Sequence, residues 1–181
     1  MTKQQVDFVP YNEEKHRAKY LEMGANYGEW LDNQVLQHYG VSLFQGIDVK
    51  NFMEDRVQVW SAINPPTGII LILEVDGVVG GMGRIDTWDE GISEVHNIWI
   101  VPAFRGKGFA IRLMGELEAR AREYGFGVMR LDTARFNVAA QSLYRKLGFS
   151  EIDRYSQTVF SNERLRQYYE EKVYLEKNYN P

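Results

Sequence analysis

Three strand-forming runs joined by short turns, within residues 69–101, constrain the fold more than any other part of the sequence. The run ILILEV is followed by Asp-Gly at 76–77, the run VVGGMGRID by Asp-Glu-Gly at 89–91, and Pro102 stops the third run. β-Branched residues bounded by such turns are typical of β-hairpins, so we expect consecutive antiparallel strands.

The sequence after Pro102 adds a parallel connection to these hairpins. Residues 108–124 carry an apolar stripe at helical spacing, Gly125 suits the left-handed position after it, and residues 128–133 predict another strand. A strand, a helix and a strand in succession normally form a parallel crossover. We therefore expect an α/β (α+β) fold with a mixed, mostly antiparallel central sheet of about six to seven strands, flanked by helices.

Two helices are predicted before the hairpins. Residues 13–39 carry apolar residues at steps of three and four, but Gly24 and Gly28 are expected to interrupt this helix. A second helix is predicted over residues 48–63, with Asp48 as its N-cap.

The ends of the chain supply the outer elements. Residues 6–9 predict an edge strand, and residues 138–147 a short helix. Two more strands are expected over 149–155 and 172–177, with a partly helical segment over 156–171 between them.

Composition and charge narrow the class of protein. The chain has 181 residues, 44% hydrophobic and 25% charged, as in soluble globular proteins, and this length fits one domain over residues 1–181. The net charge of −4 disfavours nucleic-acid binding, and the absence of cysteine excludes thiolate chemistry and cysteine-based metal sites; we predict no metal. Residues 1–10 lack the apolar core of a signal peptide and no run could span a bilayer, so we expect a cytoplasmic protein without membrane contact.

The ten residues VPAFRGKGFA, at 101–110, lie where a strand is expected to end and a helix to begin. Gly106 and Gly108 let the backbone approach a ligand closely, a helix start presents N–H groups, and Arg105 and Lys107 add positive charge. These features favour a phosphate-binding loop over a capped turn with solvated charges. The loop is neither a P-loop, since no Gly-Lys-Ser/Thr is present, nor the dinucleotide fingerprint, since it has two glycines and an alanine.

Two motifs, in order and separated by one helix and one strand, resemble the signatures of the GNAT superfamily of N-acetyltransferases. The stretch RGKGFA, at 105–110, resembles the coenzyme A signature Gln/Arg-x-x-Gly-x-Gly/Ala. The stretch NVAAQSLYRKLGF, at 137–149, resembles the second signature, Asn-x-x-Ala-x-x-Leu-Tyr-x-x-x-Gly-Phe. The predicted element order is also similar to that of the family over residues 6–177, least so in the N-terminal helices and in 156–171.

The resemblance implies acetyl-CoA as cosubstrate and a primary amine as acceptor. It also implies a parallel pair in which the strand before the loop splays from its neighbour and pairs its backbone with the pantetheine arm. Without the resemblance this strand would be plain core. The implied cofactor-binding residues belong to the strand end, the loop and the second motif: Ile98, Trp99, Ile100, Val101, Arg105, Gly106, Lys107, Gly108, Phe109, Ala110, Asn137 and Tyr144.

Asn137 and Tyr144 also have structural roles. As an N-cap, Asn137 stabilises its helix by about 1 kcal/mol relative to alanine, and the resemblance adds a cofactor contact. Tyr144 shares a helical face with Ala140 and Leu147 and could simply pack there. The resemblance instead implies a catalytic acid, because a phenol with an ordinary pKa of about 10 beside the sulfur can protonate the leaving thiolate.

The preferred catalytic base is Glu94, at the start of the strand before the loop. A lysine amine with a pKa of about 10.4 is almost fully charged at neutral pH, so the acceptor must lose a proton before or during attack. Many family members carry a glutamate here, acting directly or through water. Asp132 on the next strand and His96, on the same face as Glu94, are the rivals, and each could be an ordinary strand residue.

The acceptor site is expected among the N-terminal helices, the strand at 80–88 and the segment after residue 155. Aromatic residues at helical spacing are more often core, but five could line this site: Tyr27, Trp30, Trp60, Trp88 and Tyr155. The acidic net charge favours a cationic acceptor.

The leading function is an N-acetyltransferase that transfers the acetyl group of acetyl-CoA to a small-molecule or peptide amine by direct attack in a ternary complex. A non-catalytic acetyl-CoA-binding module with the same fold is the alternative. A nucleotide-phosphate-binding protein is a third class, which the missing P-loop disfavours. The resemblance leaves a homodimer open, and the sequence does not name the amine.

Overall fold

The computed structural model describes residues 4–155 and 163–179. The strands are β1 (Val6–Pro10), β2 (Gly68–Val75), β3 (Val78–Asp89), β4 (Ile92–Ile100), β5 (Val128–Thr133), β6 (Ser150–Ile152) and β7 (Val173–Asn178). The helices are α1 (Glu13–Tyr39), α2 (Val49–Trp60), α3 (Phe109–Glu123), α4 (Val138–Lys146) and α5 (Arg166–Glu170), with 3-10 turns at Pro102–Phe104 and Glu163–Leu165. No helix within these described residues combines the length and apolar character needed to cross a membrane.

The seven strands form one mixed sheet in the order β1-β2-β3-β4-β5-β7-β6. All neighbours in this sheet are antiparallel except β4 and β5, which run parallel. The pairing of β4 with β5 extends only from Ile92↔Val128 to Glu94↔Arg130, after which the two strands diverge. The predicted mixed sheet, with its splayed parallel pair, is confirmed.

Helix α1 runs without a break past Gly24 and Gly28, so the predicted interruption is wrong. A Cβ at Gly24 would overlap the side chain of Met53 in α2, and a Cβ at Gly28 would lie 2.8 Å from Cγ1 of Val49. Each glycine costs the helix about 1 kcal/mol of propensity. In return, both leave room for α2 to pack closely against α1.

The two faces of the sheet carry different cores. Helix α3 covers one face, where Leu117 is fully buried. Helices α1 and α2 cover the other face, where Tyr20 packs with Met82 of β3. Because side chains alternate along a strand, Glu94 and His96 of β4 lie on the face covered by α1 and α2.

Strand β4 bends where Gly83 of β3 leaves it space. The register between the two strands shifts between Met82 and Arg84. A Cβ at Gly83 would lie 2.6 Å from Cδ1 of Ile98 and 3.0 Å from Cδ1 of Leu117. The glycine therefore admits side chains of β4 and α3, and it positions the part of β4 that borders the site.

Several predicted element ends are confirmed by their capping residues. Asp48 caps α2 by accepting from the Asn51 N–H at 3.0 Å. Gly125 follows α3 with a left-handed φ of 88°. Helix α2 ends at Trp60, short of the predicted residue 63, because the chain turns into a loop that contains two prolines.

The carboxyl-terminal elements differ most from the prediction. The strand predicted over 149–155 is shorter, because only Ser150–Ile152 pairs with β7. The predicted partly helical segment is described from residue 163 onward, where it forms a 3-10 turn and α5. Its first part, residues 156–162, lies outside the described residues.

Candidate active site

A cavity of about 720 Å³ opens between β4 and β5, where the two strands stop pairing. It extends along β4 from Glu94 to Ile100, which corresponds to about 20 Å of extended strand, and continues to the loop at 105–108. Asp132, from the diverging end of β5, faces the same space. Both motifs and all three candidate bases therefore contribute to one cavity.

The loop before α3 holds its two glycines in the left-handed conformation, with φ of 74° at Gly106 and 78° at Gly108. A Cβ at either position would meet nothing within 4 Å, so backbone conformation and open space, rather than packing, account for glycine here. No side chain in the described chain caps α3, whose first helical bond runs from the Arg112 N–H to the Gly108 carbonyl. The N–H groups of residues 109–111 thus face an open site suited to an anion.

Arg105 is fixed at the junction between β4 and this loop. Its Nε donates to the Ile100 carbonyl at 2.8 Å, and its guanidinium lies 4.5 Å from the centroid of the Trp99 ring. These contacts leave the terminal nitrogens for another acceptor. Lys107, in contrast, does not line the cavity, and its Nζ lies 5.5 Å from the centroid of the Phe104 ring.

The edge of β4 that borders the cavity is shorter than the sequence predicts. Residues 98–100 line the cavity, directly after Asn97, whose left-handed φ of 55° bends the strand. The Val101 N–H donates to the Gly80 carbonyl at 2.9 Å, and the Val101 carbonyl accepts from the Phe104 N–H at 2.9 Å. Both backbone groups of Val101 are used within the fold, so the expected backbone contact of Val101 with a cofactor does not fit this geometry.

Asn137 caps α4 and lines the cavity, with its Oδ1 accepting from the Ala140 N–H at 3.3 Å. Gln141, which was not predicted from the sequence, holds the connection before this cap. Its buried Nε2 donates to the carbonyls of Ala134 and Arg135, at 3.2 and 2.8 Å. The sequence signal for this role is that Gln141 is a polar residue on the buried side of α4.

Tyr144 lies on the cavity wall and is 7% exposed, with its ring centroid 6.0 Å from that of Phe149. Burial raises the pKa of the Tyr144 hydroxyl above its usual range, and Tyr27 and Asp132 add to this effect. The hydroxyl therefore remains a proton donor throughout the neutral range. Its raised pKa also makes it a weaker acid than a free phenol, which suits hydrogen bonding to a developing thiolate better than complete proton transfer.

Glu94 is buried near the start of β4, away from the loop at 105–108, and each of its two carboxylate oxygens contacts another side chain. The Tyr155 hydroxyl donates to its Oε1 at 2.6 Å, and Nε2 of His96 lies 3.4 Å from its Oε2. Burial raises the pKa of Glu94 above its usual range, and the contacts with His96 and Tyr155 offset this only in part. A carboxylate with a raised pKa is a stronger base, as amine deprotonation requires.

His96 connects Glu94 to a second acid on β3. Its Nε2 lies 3.0 Å from Oδ1 of Asp86, and Oδ2 of Asp86 lies 3.3 Å from Nε of the buried Arg84. Burial alone would raise the pKa of Asp86, but His96 and Arg84 bring it below its usual value. No group of three or more His, Cys, Asp or Glu side chains in residues 4–155 and 163–179 is arranged to hold a metal ion.

Asp132 is paired with Lys172, a residue that was not predicted from the sequence. Lys172 Nζ donates to Asp132 Oδ1 at 2.7 Å, and the two side chains are 17% and 26% exposed. Burial lowers the pKa of Lys172, but the charge and hydrogen bond of Asp132 raise it above its usual value. The charge of Asp132 is therefore balanced by Lys172, whereas Glu94 has no lysine or arginine partner in the described residues, so this geometry favours Glu94 over Asp132 as the base.

The structure places the aromatic residues expected near the acceptor in three different positions. Tyr27 and Trp30 of α1 line the cavity. Tyr155 holds the candidate base, and Trp88 packs against Tyr155 with ring centroids 5.2 Å apart. Trp60 ends α2 and does not line the cavity.

The model of the acetyltransferase (GNAT) family matches residues 34–149, which is more than half of the chain and includes the loop, the splayed strands and both motifs. The chain belongs to the GNAT acetyltransferase family. The resemblance predicted from the two motifs is confirmed, and this GNAT protein is accordingly an acyltransferase.

Known proteins similar to this GNAT chain share different parts of it. YjgM, an uncharacterized N-acetyltransferase of Escherichia coli (strain K12), is 33% identical over 124 residues, or 66% of this chain and 72% of that protein. The N-alpha-acetyltransferase RimI of Mycobacterium tuberculosis is 42% identical over 72 residues, and the chain spans 44% of its length. The structure of the PaiA N-acetyltransferase of Thermoplasma acidophilum in complex with coenzyme A has a TM-score of 0.67 at 16% identity, covering 97% of this chain and 99% of that one. That likeness shows the fold.

Proposed function

We propose that this protein transfers the acetyl group of acetyl-CoA to a primary amine of a small molecule or peptide. One observation carries the proposal: a single cavity runs along an unpaired strand edge from an uncapped helix start to a buried carboxylate with a raised pKa. Such a cavity suits an extended donor that carries phosphate at one end and meets a proton acceptor at the other.

The residues of the cavity fit acetyl-CoA. The N–H groups behind Gly106 and Gly108 and the dipole of α3 would hold the pyrophosphate, with Arg105 adding its free nitrogens. The edge at 98–100 would pair with the pantetheine arm as an added strand does, except at the Ile100 carbonyl, which already accepts from Arg105 Nε. Bound in this way, acetyl-CoA supplies an acetyl group activated as a thioester.

Glu94 would bind the acceptor as an ammonium and then take its proton. The other acids beside it are already paired, Asp86 with Arg84 and Asp132 with Lys172. Glu94 contacts His96 and Tyr155, so of these three acids it is the one without an arginine or lysine partner in the described residues, which leaves it to receive an incoming cation. Its raised pKa favours proton transfer from the amine to Glu94, directly or through water.

Tyr144 would stabilise the sulfur that leaves. Its buried hydroxyl keeps its proton at neutral pH, and the residue lines the same cavity as the strand edge at 98–100 and Glu94. A hydrogen bond to a thiolate strengthens as charge develops, so it lowers the barrier more than it aids ground-state binding.

A free-thiol assay tests this function with polyamines, aminoglycosides, amino acids and peptides as acceptors. We expect amine-dependent release of CoA, and we expect Glu94→Gln to lower turnover by about 10²-fold while acetyl-CoA affinity stays within about twofold. Binding of acetyl-CoA without turnover on any amine would support the non-catalytic module instead. A chain that does not bind acetyl-CoA would contradict the proposal.

A further inference from the structure

The Tyr155 hydroxyl makes the shortest polar contact that Glu94 has in the described residues. It donates to Oε1 of Glu94 at 2.6 Å, which is the length of a charge-assisted hydrogen bond. Nε2 of His96 lies 3.4 Å from the other oxygen, Oε2, but the same nitrogen is hydrogen bonded to Asp86 at 3.0 Å. Tyr155 therefore fixes Oε1, and Oε2 is left as the oxygen that can take a proton from the acceptor.

Three neighbouring side chains hold the ring of Tyr155 in place. Its centroid lies 5.2 Å from that of Trp88 and 5.2 Å from that of Tyr174, and both contacts are T-shaped. Cζ of Arg130 lies 5.1 Å from the same centroid. These neighbours belong to β3, β7 and β5, so the packed sheet positions the hydroxyl that contacts Glu94.

Tyr155 influences the cavity through Glu94, because Glu94 lines the cavity and Tyr155 does not. Burial and the charge of Glu94 raise the pKa of the Tyr155 hydroxyl well above its usual value, so this group remains a proton donor at neutral pH. A donor that keeps its proton stabilises the ionised carboxylate and favours one orientation of it. Orientation matters for a base, since a misplacement of about 1 Å can cost about 10²-fold in rate.

We propose that Tyr155 is a positioning residue of the acetyl transfer, which orients the Glu94 carboxylate so that Oε2 faces the amine. The inference rests on the proposed function and adds to it the residue that orients the base. The proton that the acceptor's ammonium loses passes to Oε2 of Glu94, and Tyr155 keeps its own proton throughout.

The hydroxyl of Tyr155 can be removed without changing any charged group around Glu94. Those groups lie on the strands beside it and next to β7: Arg84, Asp86, His96, Arg130, Asp132 and Lys172. Because the hydrogen bond from Tyr155 favours the ionised form, its loss should raise the pKa of Glu94 further. Glu94 acts as a base only when ionised, so the acid limb of the kcat/KM profile should move to higher pH.

Tyr155→Phe tests this role, with Tyr174→Phe as the matched control. Each variant loses one hydroxyl and keeps its ring, but Tyr174 donates no hydrogen bond to Glu94 in the described residues. With an amine identified in the free-thiol assay, we expect the acid limb to rise by about one pH unit in Tyr155→Phe. Above that limb, kcat should stay lower by about tenfold, because the carboxylate is no longer oriented. Acetyl-CoA affinity should stay within about twofold, and Tyr174→Phe should keep the wild-type profile.

NMR titration of Glu94 gives a second readout that does not depend on turnover. In protein labelled with ¹³C at the glutamate carboxyl groups, the resonance that is missing from Glu94→Gln belongs to Glu94. We expect this resonance to titrate about one pH unit higher in Tyr155→Phe than in wild type, and at the wild-type pH in Tyr174→Phe.

The outcomes separate this role from the proposed function. An acid limb or a Glu94 titration that Tyr155→Phe leaves unchanged would overturn the role of Tyr155 while acetyl transfer stands. An equal change in Tyr174→Phe would also overturn it, because the packing of the rings would then explain the effect. A wild type that acetylates no amine would instead overturn the proposed function, and the positioning role with it.

Discussion

Replacing Gly108 by alanine tests cofactor binding separately from folding. A matched control exists because the glycines at the two ends of α3, Gly108 and Gly125, share one backbone conformation. Gly108 precedes the helix with a φ of 78°, and Gly125 follows it with a φ of 88°. At neither position would a Cβ meet an atom within 4 Å. Gly108 lines the cavity and Gly125 does not, so Gly125→Ala is a matched control.

The expected magnitudes follow from this geometry. A left-handed conformation costs alanine about 1–2 kcal/mol, and no new contact adds to that cost, so both variants should lose about this much free energy of unfolding. A methyl group at Gly108 enters the space in front of the N–H groups of residues 109–111. Losing one hydrogen bond to a charged phosphate costs about 1.5–3 kcal/mol, which weakens acetyl-CoA binding by about 10- to 150-fold.

Urea unfolding and calorimetry with acetyl-CoA measure the two quantities. We expect equal loss of stability in both variants, and a loss of affinity confined to Gly108→Ala. Equal affinities in the two variants would refute the placement of the pyrophosphate at this loop. A much larger loss of stability at Gly108 would show that packing, rather than ligand approach, requires this glycine.

Three further predictions concern the base, the leaving group and the packing of α1 with α2. Folding raises the pKa of Glu94, so the stability that this group contributes is lost as pH rises through its folded-state pKa. At neutral pH, Glu94→Gln should therefore be at least as stable in urea as wild type, although it loses turnover. The acid limb of the wild-type kcat/KM profile should lie above the usual glutamate range, and a profile that responds to Asp132→Asn but not to Glu94→Gln would exchange their roles. Tyr144→Phe should lower turnover by about 10²-fold and be partly rescued by a thioester with a more acidic thiol; equal losses on both donors would make Tyr144 a positioning residue. Gly24→Ala should lower the free energy of unfolding by about 0–2 kcal/mol in urea, because displacing Met53 costs about 1–3 kcal/mol and alanine returns about 1 kcal/mol of helix propensity; a gain of about 1 kcal/mol in stability would contradict the close packing of the two helices.

Structural elements that depend only on residues close in the sequence could be predicted from the sequence. The turn between β2 and β3 forms at Asp76 and Gly77, which take left-handed φ values of 51° and 78°. The α2 cap at Asp48 and the end of α3 before Gly125 follow from local chemistry in the same way. The interruption predicted at Gly24 failed, because the approach of a second helix is not a local property.

The sequence by itself determined the strand and helix pattern, the glycine loop and the two motifs, since each depends on residues within one or two turns of chain. Only the tertiary structure decided which charged and polar side chains contact one another. Lys172 lies 40 residues from Asp132, and Tyr155 lies 61 residues from Glu94. These contacts exist because the register of the sheet brings distant strands and segments to one face. Burial on that face, which no local pattern encodes, raises the pKa of Glu94 and leaves the donors of Arg84 unpaired.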